Sequence, residues 1–303
     1  MKRDLITLQN LTQEEISRIF HLSAQLKKGE LNTFPLKGKT VGLLFQKPSN
    51  RTRVSFEVGI WQLGGHCLYL GPDEINLGVR ESVADVSKTL SRYLDALVAR
   101  THNHQDMVEL AEKATIPIIN GLSDEFHPCQ ALTDLFSIQE RFGKFSGIKL
   151  AYIGDGNNVC HSLLLGSALM GLNMHVATPW QYEPKHDVVA LAQSYAKKSG
   201  AKIVIDHDPR VCIQKANVVY ADVWISMGQE NEASQRIKDF QGFQINAKLT
   251  QYADPNYIFM HCLPAHRGEE ITDEIIDGEH SIVFDQVENR LHVQKAVLID
   301  LLT

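Results

Sequence analysis

The sequence predicts an α/β protein built as two doubly wound parallel-sheet lobes joined by interdomain helices. Its 303 residues exceed one compact domain and suit two of about 150 residues each. From residue 40 onward, short β-branched runs alternate with longer segments of helical period. Polar clusters recur just after the apolar runs, where open parallel sheets bind their ligands.

In chain order, strands are expected at TVGLLF, HCLYL, ALVAR and IPIIN, separated by helices that begin near Arg51, Ser82 and Asn103. A long helix, HPCQALTDLFSIQERFG, follows, with Pro128 marking its first turn. The pattern then restarts with IKLAYIGD, MHVATP, KIVIDHD, VVYADVW and YIFMHC. The tail VQKAVLIDLL has a helical pattern. The Gly-containing stretch GKFSG is the natural boundary, which gives a first domain over residues 1–142, a second over 143–285, and a C-terminal segment, 286–303, expected to return to the first.

A formal charge of -6 argues against a nucleic-acid partner, because binding to phosphate backbones needs a basic face. No apolar run approaches the about 18 residues of a membrane span, so no membrane partner is expected. The N-terminal stretch shows neither an apolar signal core nor an Arg-rich transit pattern. The 5 cysteines are odd in number and lack CxxC spacing, which points away from a disulfide frame or a zinc site and toward a reducing cytoplasm.

Within this acidic chain, KPSNRTR (47–53) is a local exception. A helix starting near Asn50 or Arg51 would aim unpaired N–H groups and the positive end of its dipole into the loop. Ser49 and Thr52 add hydroxyls, and Arg51 adds a planar fork suited to phosphate. A plain N-cap accounts for Ser49 alone. In HPCQALTD, His127 and Gln130 lie one turn apart on a single helix face, able to reach two groups of one small ligand.

GDGNN after a strand resembles a nucleotide loop, but it lacks the third glycine, and Thr178 stands where a ribose-binding acid would be wanted. An Asn amide available to a carboxylate is the better reading. DVWISMG places Asp222, Ser226 and the Met227 backbone after a strand, although Asp222 alone would pass for a cap. In FMHCLPAHRGEE, Cys262 is read as a ligand-contacting thiol rather than a covalent nucleophile, since a nucleophile needs a base and an oxyanion hole.

These motifs, with ENRLHVQKA, resemble those of the carbamoyltransferases in their order along essentially the whole chain, and the HCLPAHRGEE and DVWISMG versions are similar to the ornithine-specific branch. SNRTR stands in place of the usual STRTR. The resemblance implies transfer of the carbamoyl group of carbamoyl phosphate to the δ-amine of L-ornithine, giving L-citrulline and phosphate. It also implies arginine biosynthesis as the setting and a homotrimer, or a multiple of trimers, as the assembly; the residues themselves suit either direction of the reaction.

Carried over by position, the carbamoyl-phosphate set is Ser49, Asn50, Arg51, Thr52, Asn76, Arg100, His127, Gln130, Cys262, Leu263 and Arg290. The ornithine set is Asn158, Asp222, Ser226 and Met227. Arg100, His127, Asp222 and Cys262 are the implied catalytic residues. Asn50 exchanges a hydroxyl for an amide but keeps its backbone N–H. Asn76 is shorter than the family's usual Gln or His, which puts a reach toward a neighbouring subunit in question. The chemistry calls for no metal and no other cofactor.

Putrescine or an N-acylated ornithine are alternative acceptors. Putrescine would leave Asn158 and the Met227 N–H without a carboxylate, and an acyl group would need room beside Asp222 and Ser226. A nucleotide-dependent dehydrogenase is a reading of another class, disfavoured by the absent glycine and acid. A phosphate-binding module without catalysis would have no use for HCLP.

Overall fold

The computed structural model describes residues 2–31, 33–226 and 229–303. The chain separates into two compact units. One comprises Met1–Phe136 together with Glu288–Thr303, and the other Ser137–Val287. Both junctions fall inside helices, Pro128–Phe142 and Val283–Leu302.

The first unit contains a four-stranded parallel sheet of β1 (Thr40–Phe45), β2 (His66–Leu70), β3 (Ala96–Arg100) and β4 (Ile118–Leu122), in the order β2-β1-β3-β4. β1 and β3 are the central strands and are buried almost throughout, which explains their continuous apolar runs. β2 is an edge strand and shows intermediate to exposed residues along its length. The core on one side gathers Leu44, Val86, Leu97, Met107, Leu110 and Ile118.

The expected strand IPIIN is displaced in the structure. β4 begins at Ile118 and continues through Asn120 to Leu122. Pro117 has no N–H to give a ladder; it contributes only its carbonyl, which accepts from the Leu97 N–H at 3.0 Å.

The second unit has a five-stranded parallel sheet of β5 (Lys149–Ile153), β6 (Asn173–Ala177), β7 (Ile203–Asp206), β8 (Val218–Ala221) and β9 (Ile258–His261), in the order β7-β6-β5-β8-β9. Here too the central strands β5 and β8 are buried. Their core includes Ile153, Val219, Trp224, Phe240, Phe259 and Ile271.

In each sheet the chain runs outward one way from the first strand and then returns to add strands on the other side. The reversal lies between β1 and β3 in the first unit and between β5 and β8 in the second. Loops leaving two adjacent strands diverge at such a point and open a crevice at their carboxyl ends. Ser49–Thr52 follows β1 and Arg100 ends β3, in register beside Phe45. Asp155–Asn158 follows β5, and Asp222 follows β8.

The loop after β5 requires glycine at one place for spatial reasons. A Cβ on Gly156 would lie 2.2 Å from Pro184 N, 2.5 Å from Glu183 C and 2.6 Å from Tyr182 O, all backbone atoms with little freedom to yield. Gly156→Ala should therefore destabilise the second unit by about 1–3 kcal/mol or more, the usual range for overpacking. Urea unfolding of the two proteins checks this, and a midpoint equal to the parent's would contradict it.

Candidate functional site

In the first unit, Ser49 is the N-cap of the helix Asn50–Gln62; its hydroxyl accepts from the Thr52 N–H at 3.3 Å. The cap reading is thus correct for that hydroxyl. Thr52 is buried, and its Oγ1 accepts from Arg290 Nη2 at 2.8 Å. The same guanidinium donates through Nη1 to Gln130 Oε1 at 2.8 Å. Gln130 in turn donates from Nε2 to Asp134 Oδ1, one turn further along its helix, at 2.8 Å. Residues far apart in sequence, 52, 130 and 290, thereby form one buried polar network.

Arg100 and His127 are buried beside it. Burial, and then the neighbouring charges of Arg290 and Arg51, lower the Arg100 guanidinium to about 10, which still leaves it cationic at neutral pH. Its Nε is buried and donates to no acceptor among the described residues. Burial first, followed by the charges of Arg290, Arg100 and Arg51, drives the His127 imidazole well below its ordinary range, so it is neutral at physiological pH. A neutral imidazole can donate a hydrogen bond without adding charge. Three guanidiniums and one neutral donor therefore converge at the end of β3 and the start of two helices.

Arg53, one of the cations that drew attention to KPSNRTR, points elsewhere. Its guanidinium lies 3.6 Å from the Tyr69 ring centroid and pairs with Glu57 at 3.4 Å. Asn76 caps the short helix Pro72–Ile75 in a left-handed conformation, with φ of 48°.

In the second unit, Asp222 gathers donors. Cys262 Sγ donates to Oδ1 at 2.9 Å, the Val223 N–H to Oδ1 at 2.8 Å, and Asn157 Nδ2 to Oδ2 at 2.7 Å. Asn157 is also the N-cap of the helix Asn158–Met170, its Oδ1 accepting from the N–H groups of Val159 and Cys160. Asn158, the predicted ligand residue, is the first residue of that helix. Asp222 is not a helix cap; it is buried, and its carboxylate links the loop after β5 to the one after β9. Leu263 has a left-handed φ of 57° and precedes Pro264 through a cis peptide. Ser226 is half-buried, its N–H donating to Gln229 Oε1 at 3.0 Å. Met227 lies outside the described residues.

Sequence reasoning missed three residues that hold these groups. Asp134 carried a signal, an acid one helical turn beyond Gln130. Asn157 was one position from the amide singled out. Arg236 carried none, because ASQRIKD reads as a solvated amphipathic helix. In the structure Arg236 is buried, donates to Asp155 Oδ2 at 2.9 Å, Trp224 O at 3.1 Å and Glu232 Oε2 at 3.0 Å, and lies 4.6 Å over the Tyr182 ring. It ties the loop after β5 to the segment that follows Asp222.

Residues 3–140 match the carbamoyl-P binding domain of the aspartate/ornithine carbamoyltransferases, and residues 146–301 match the Asp/Orn binding domain of the same group. The chain belongs to the aspartate/ornithine carbamoyltransferase family. It is 52% identical over 303 residues to the ornithine carbamoyltransferase of Anoxybacillus flavithermus, covering 99% of this chain and 96% of that one. Among solved structures, ornithine carbamoyltransferase from Pyrococcus furiosus superimposes with a TM-score of 0.95 at 51% identity, covering 98% of this chain and 96% of the other. The anabolic ornithine carbamoyltransferase of Campylobacter jejuni gives 0.93 at 37% identity, covering 98% of each.

The Asp155–Arg236 pair predicts a pH effect on this family member. Burial raises the Asp155 carboxyl from 3.8 to about 6, against the pull of Arg236. Its folded pKa thus exceeds its unfolded one, so the folded state holds a proton that the unfolded state has released. Stability from this group should fall as pH rises from about 4 to about 6 and then level off. Subtracting the urea-derived stability curve of Asp155→Asn from the parent's should show that decline; a difference flat or rising through this window would refute it.

Proposed function

We propose that the chain transfers the carbamoyl group of carbamoyl phosphate to the δ-amine of L-ornithine, giving L-citrulline and phosphate. The observation that carries the reading is the convergence of Arg51, Arg100 and Arg290 around a neutral His127 at a helix N-terminus. Such a group suits a small dianion joined to a carbonyl. The similarity to ornithine carbamoyltransferases over nearly the full chain supports the choice of acceptor.

In this proposal the N–H groups of Asn50 and Arg51 cradle the phosphate, with the Ser49 hydroxyl held beside it by the Thr52 N–H. Arg51, Arg100 and Arg290 balance its charge. His127 and Arg100 donate to the carbamoyl oxygen, and Gln130, held by Asp134 and Arg290, faces the carbamoyl amide; the family resemblance assigns Leu263 and Cys262 to carbamoyl phosphate as well. Asn158, Ser226 and Met227 take the α-amino and α-carboxylate groups of ornithine with Asp222, whose contact with Cys262 also sets the thiol beside the reacting amine.

The neutral δ-nitrogen attacks the carbamoyl carbon. The carbonyl electrons move onto oxygen, where Arg100 and His127 stabilise the tetrahedral oxyanion. The carbonyl then re-forms as the C–O bond to phosphate breaks, and the proton lost by nitrogen leaves with the phosphate or to water. Cys262 stays unacylated, because the substrate supplies the nucleophile.

The domain division 1–142, 143–285 and 286–303 is likewise proposed, and the assignment of Glu288–Thr303 to the first compact unit supports the return of the C-terminal segment. A cytoplasmic location and a role in arginine synthesis fit the cysteine usage and the anabolic relative. No helix among the described residues is long and apolar enough to cross a membrane.

A homotrimer is proposed on the family resemblance and on an apolar surface of the first unit. Val54, Val58 and Trp61 are exposed on the helix beside edge strand β2, where Leu68 is exposed as well. Trp61 is 76% exposed, an unusual cost in water unless another surface covers it. Trp61→Glu should convert the assembly to smaller species; native mass spectrometry of both proteins decides, and an unchanged oligomer would remove this face from the interface.

Activity tests the function directly. Citrulline formation should require ornithine and be absent with putrescine or aspartate as acceptor. Arg100→Ala should lower kcat/KM by about 10²–10³, as for other lost oxyanion donors. Cys262→Ser should weaken ornithine binding and keep measurable turnover. Arg100→Ala activity within a few-fold of the parent, or a carbamoyl adduct on Cys262, would overturn the corresponding role.

A further inference from the structure

The segment bearing Cys262 and Leu263 continues into a tight turn, residues 265–270, to which none of the roles above is assigned. Glu270 is 1% exposed, and its Oε1 accepts from the His266 N–H at 2.5 Å and faces His261 Nε2 at 3.3 Å. Its other oxygen, Oε2, is buried and takes no hydrogen bond from the described residues, and the same is true of Glu269 Oε2. His266 Nδ1 lies 3.7 Å from Glu269 Oε2 and 4.0 Å from Glu270 Oε2. One ligand atom from each of the three residues falls within 4.8 Å of the others.

Two dehydrated carboxylate oxygens at this separation repel each other and have lost water's hydrogen bonds, so they call for a cation. The nearest fixed cation on the turn, Arg267, is engaged by Asp273 at 2.6 Å and by Asp277 at 2.5 and 2.8 Å. We propose that His266, Glu269 and Glu270 form a binding site for a first-row divalent cation. One imidazole nitrogen and two carboxylate oxygens suit a borderline ion such as Zn²⁺ or Co²⁺ better than Ca²⁺ or Mg²⁺, which prefer oxygen alone. Metal–ligand bonds of about 2.0–2.2 Å need only a small contraction of the present separations. The two carboxylates balance the ion's charge, and the exposed side of His266 leaves room for water as further ligands.

A second group, Asp222, His261 and Cys262, has its potential ligand atoms equally close. It is the poorer site. Both nitrogens of His261 are engaged, Nδ1 by the Leu263 N–H at 2.8 Å and Nε2 by Glu270, while Cys262 and Asp222 bond each other. Glu270 serves both places, so an ion on its Oε2 would fix the carboxylate whose Oε1 supports His261, and His261 supports the Leu263 backbone. The cation is thus a clamp on the turn, with no part in the chemistry.

The test uses the full chain, stripped with chelator and titrated with Co²⁺ at neutral pH, read by visible ligand-field absorption and by Tm. The site predicts one ion per chain, a rise in Tm, and binding that weakens as acid protonates Nδ1. His266→Asn with Glu269→Gln, both at accessible side chains, should weaken Co²⁺ binding more than about ten-fold, since even outer-shell losses cost that much. Their metal-free Tm should stay near the parent's, and Cys262→Ser should bind as the parent does. Equal binding by the double variant, a thiolate charge-transfer band abolished by Cys262→Ser, or no binding by the parent at millimolar Co²⁺ would each overturn the proposal.

Discussion

The bridge that Arg290 makes between Thr52 and Gln130 is the interaction on which the buried polar network of the first unit depends. It joins a helix N-terminus, a mid-chain helix and the C-terminal helix through one buried guanidinium. It also sets the electrostatics of its neighbourhood. Burial first, and then the cationic centre it makes with Arg51 and Arg100, keep the His127 imidazole neutral. Concentrated like charge in a dehydrated place is destabilising by itself, and it persists because packing buries Arg100 and hydrogen bonds to Thr52 and Gln130 hold Arg290. A dianionic ligand would relieve the repulsion, which is the physical basis of the proposed phosphate site.

The second unit solves a different problem by similar means. Asp222 brings together a thiol, an amide and a backbone N–H from three loops, and Arg236 fastens two of those loops through Asp155 and the Trp224 carbonyl. Of the groups proposed to touch ornithine, Asp222 and Ser226 lie on a connection between elements, where backbone freedom is greatest, and Asn158 opens a helix. A buried ion pair and a close-packed glycine supply the rigidity that loops lack.

Most of the architecture was legible in the sequence because central parallel strands, buried on both faces, must be short continuous apolar runs. β4 was misplaced by two residues, since apolar character at Ile116 says nothing of the hydrogen bond that Pro117 cannot donate. Of the site, the residues that carry charge or a cap at a helix start stood out. What remained hidden was direction. Arg51 and Arg53 look alike in a string of letters, yet two positions along a helix turn a side chain to another face, and Arg53 lies on Tyr69. Arg236 was hidden for the complementary reason, that an arginine in a polar stretch is ordinarily solvated, and only the tertiary fold reveals which carboxylate buries it.

The chain's path has a consequence for synthesis. The second unit is contiguous, from Ser137 to Val287, whereas the first is closed by Glu288–Thr303. On a ribosome the second unit can fold as soon as its own residues emerge, but the first must wait, its sheet formed and its anion centre lacking Arg290. The buried network of Thr52, Gln130 and Arg290 therefore closes only with the final helix. A nascent or prematurely terminated chain would display a finished amino-acid domain and a first domain with an incomplete interior, a species for quality control to remove rather than an enzyme of reduced activity.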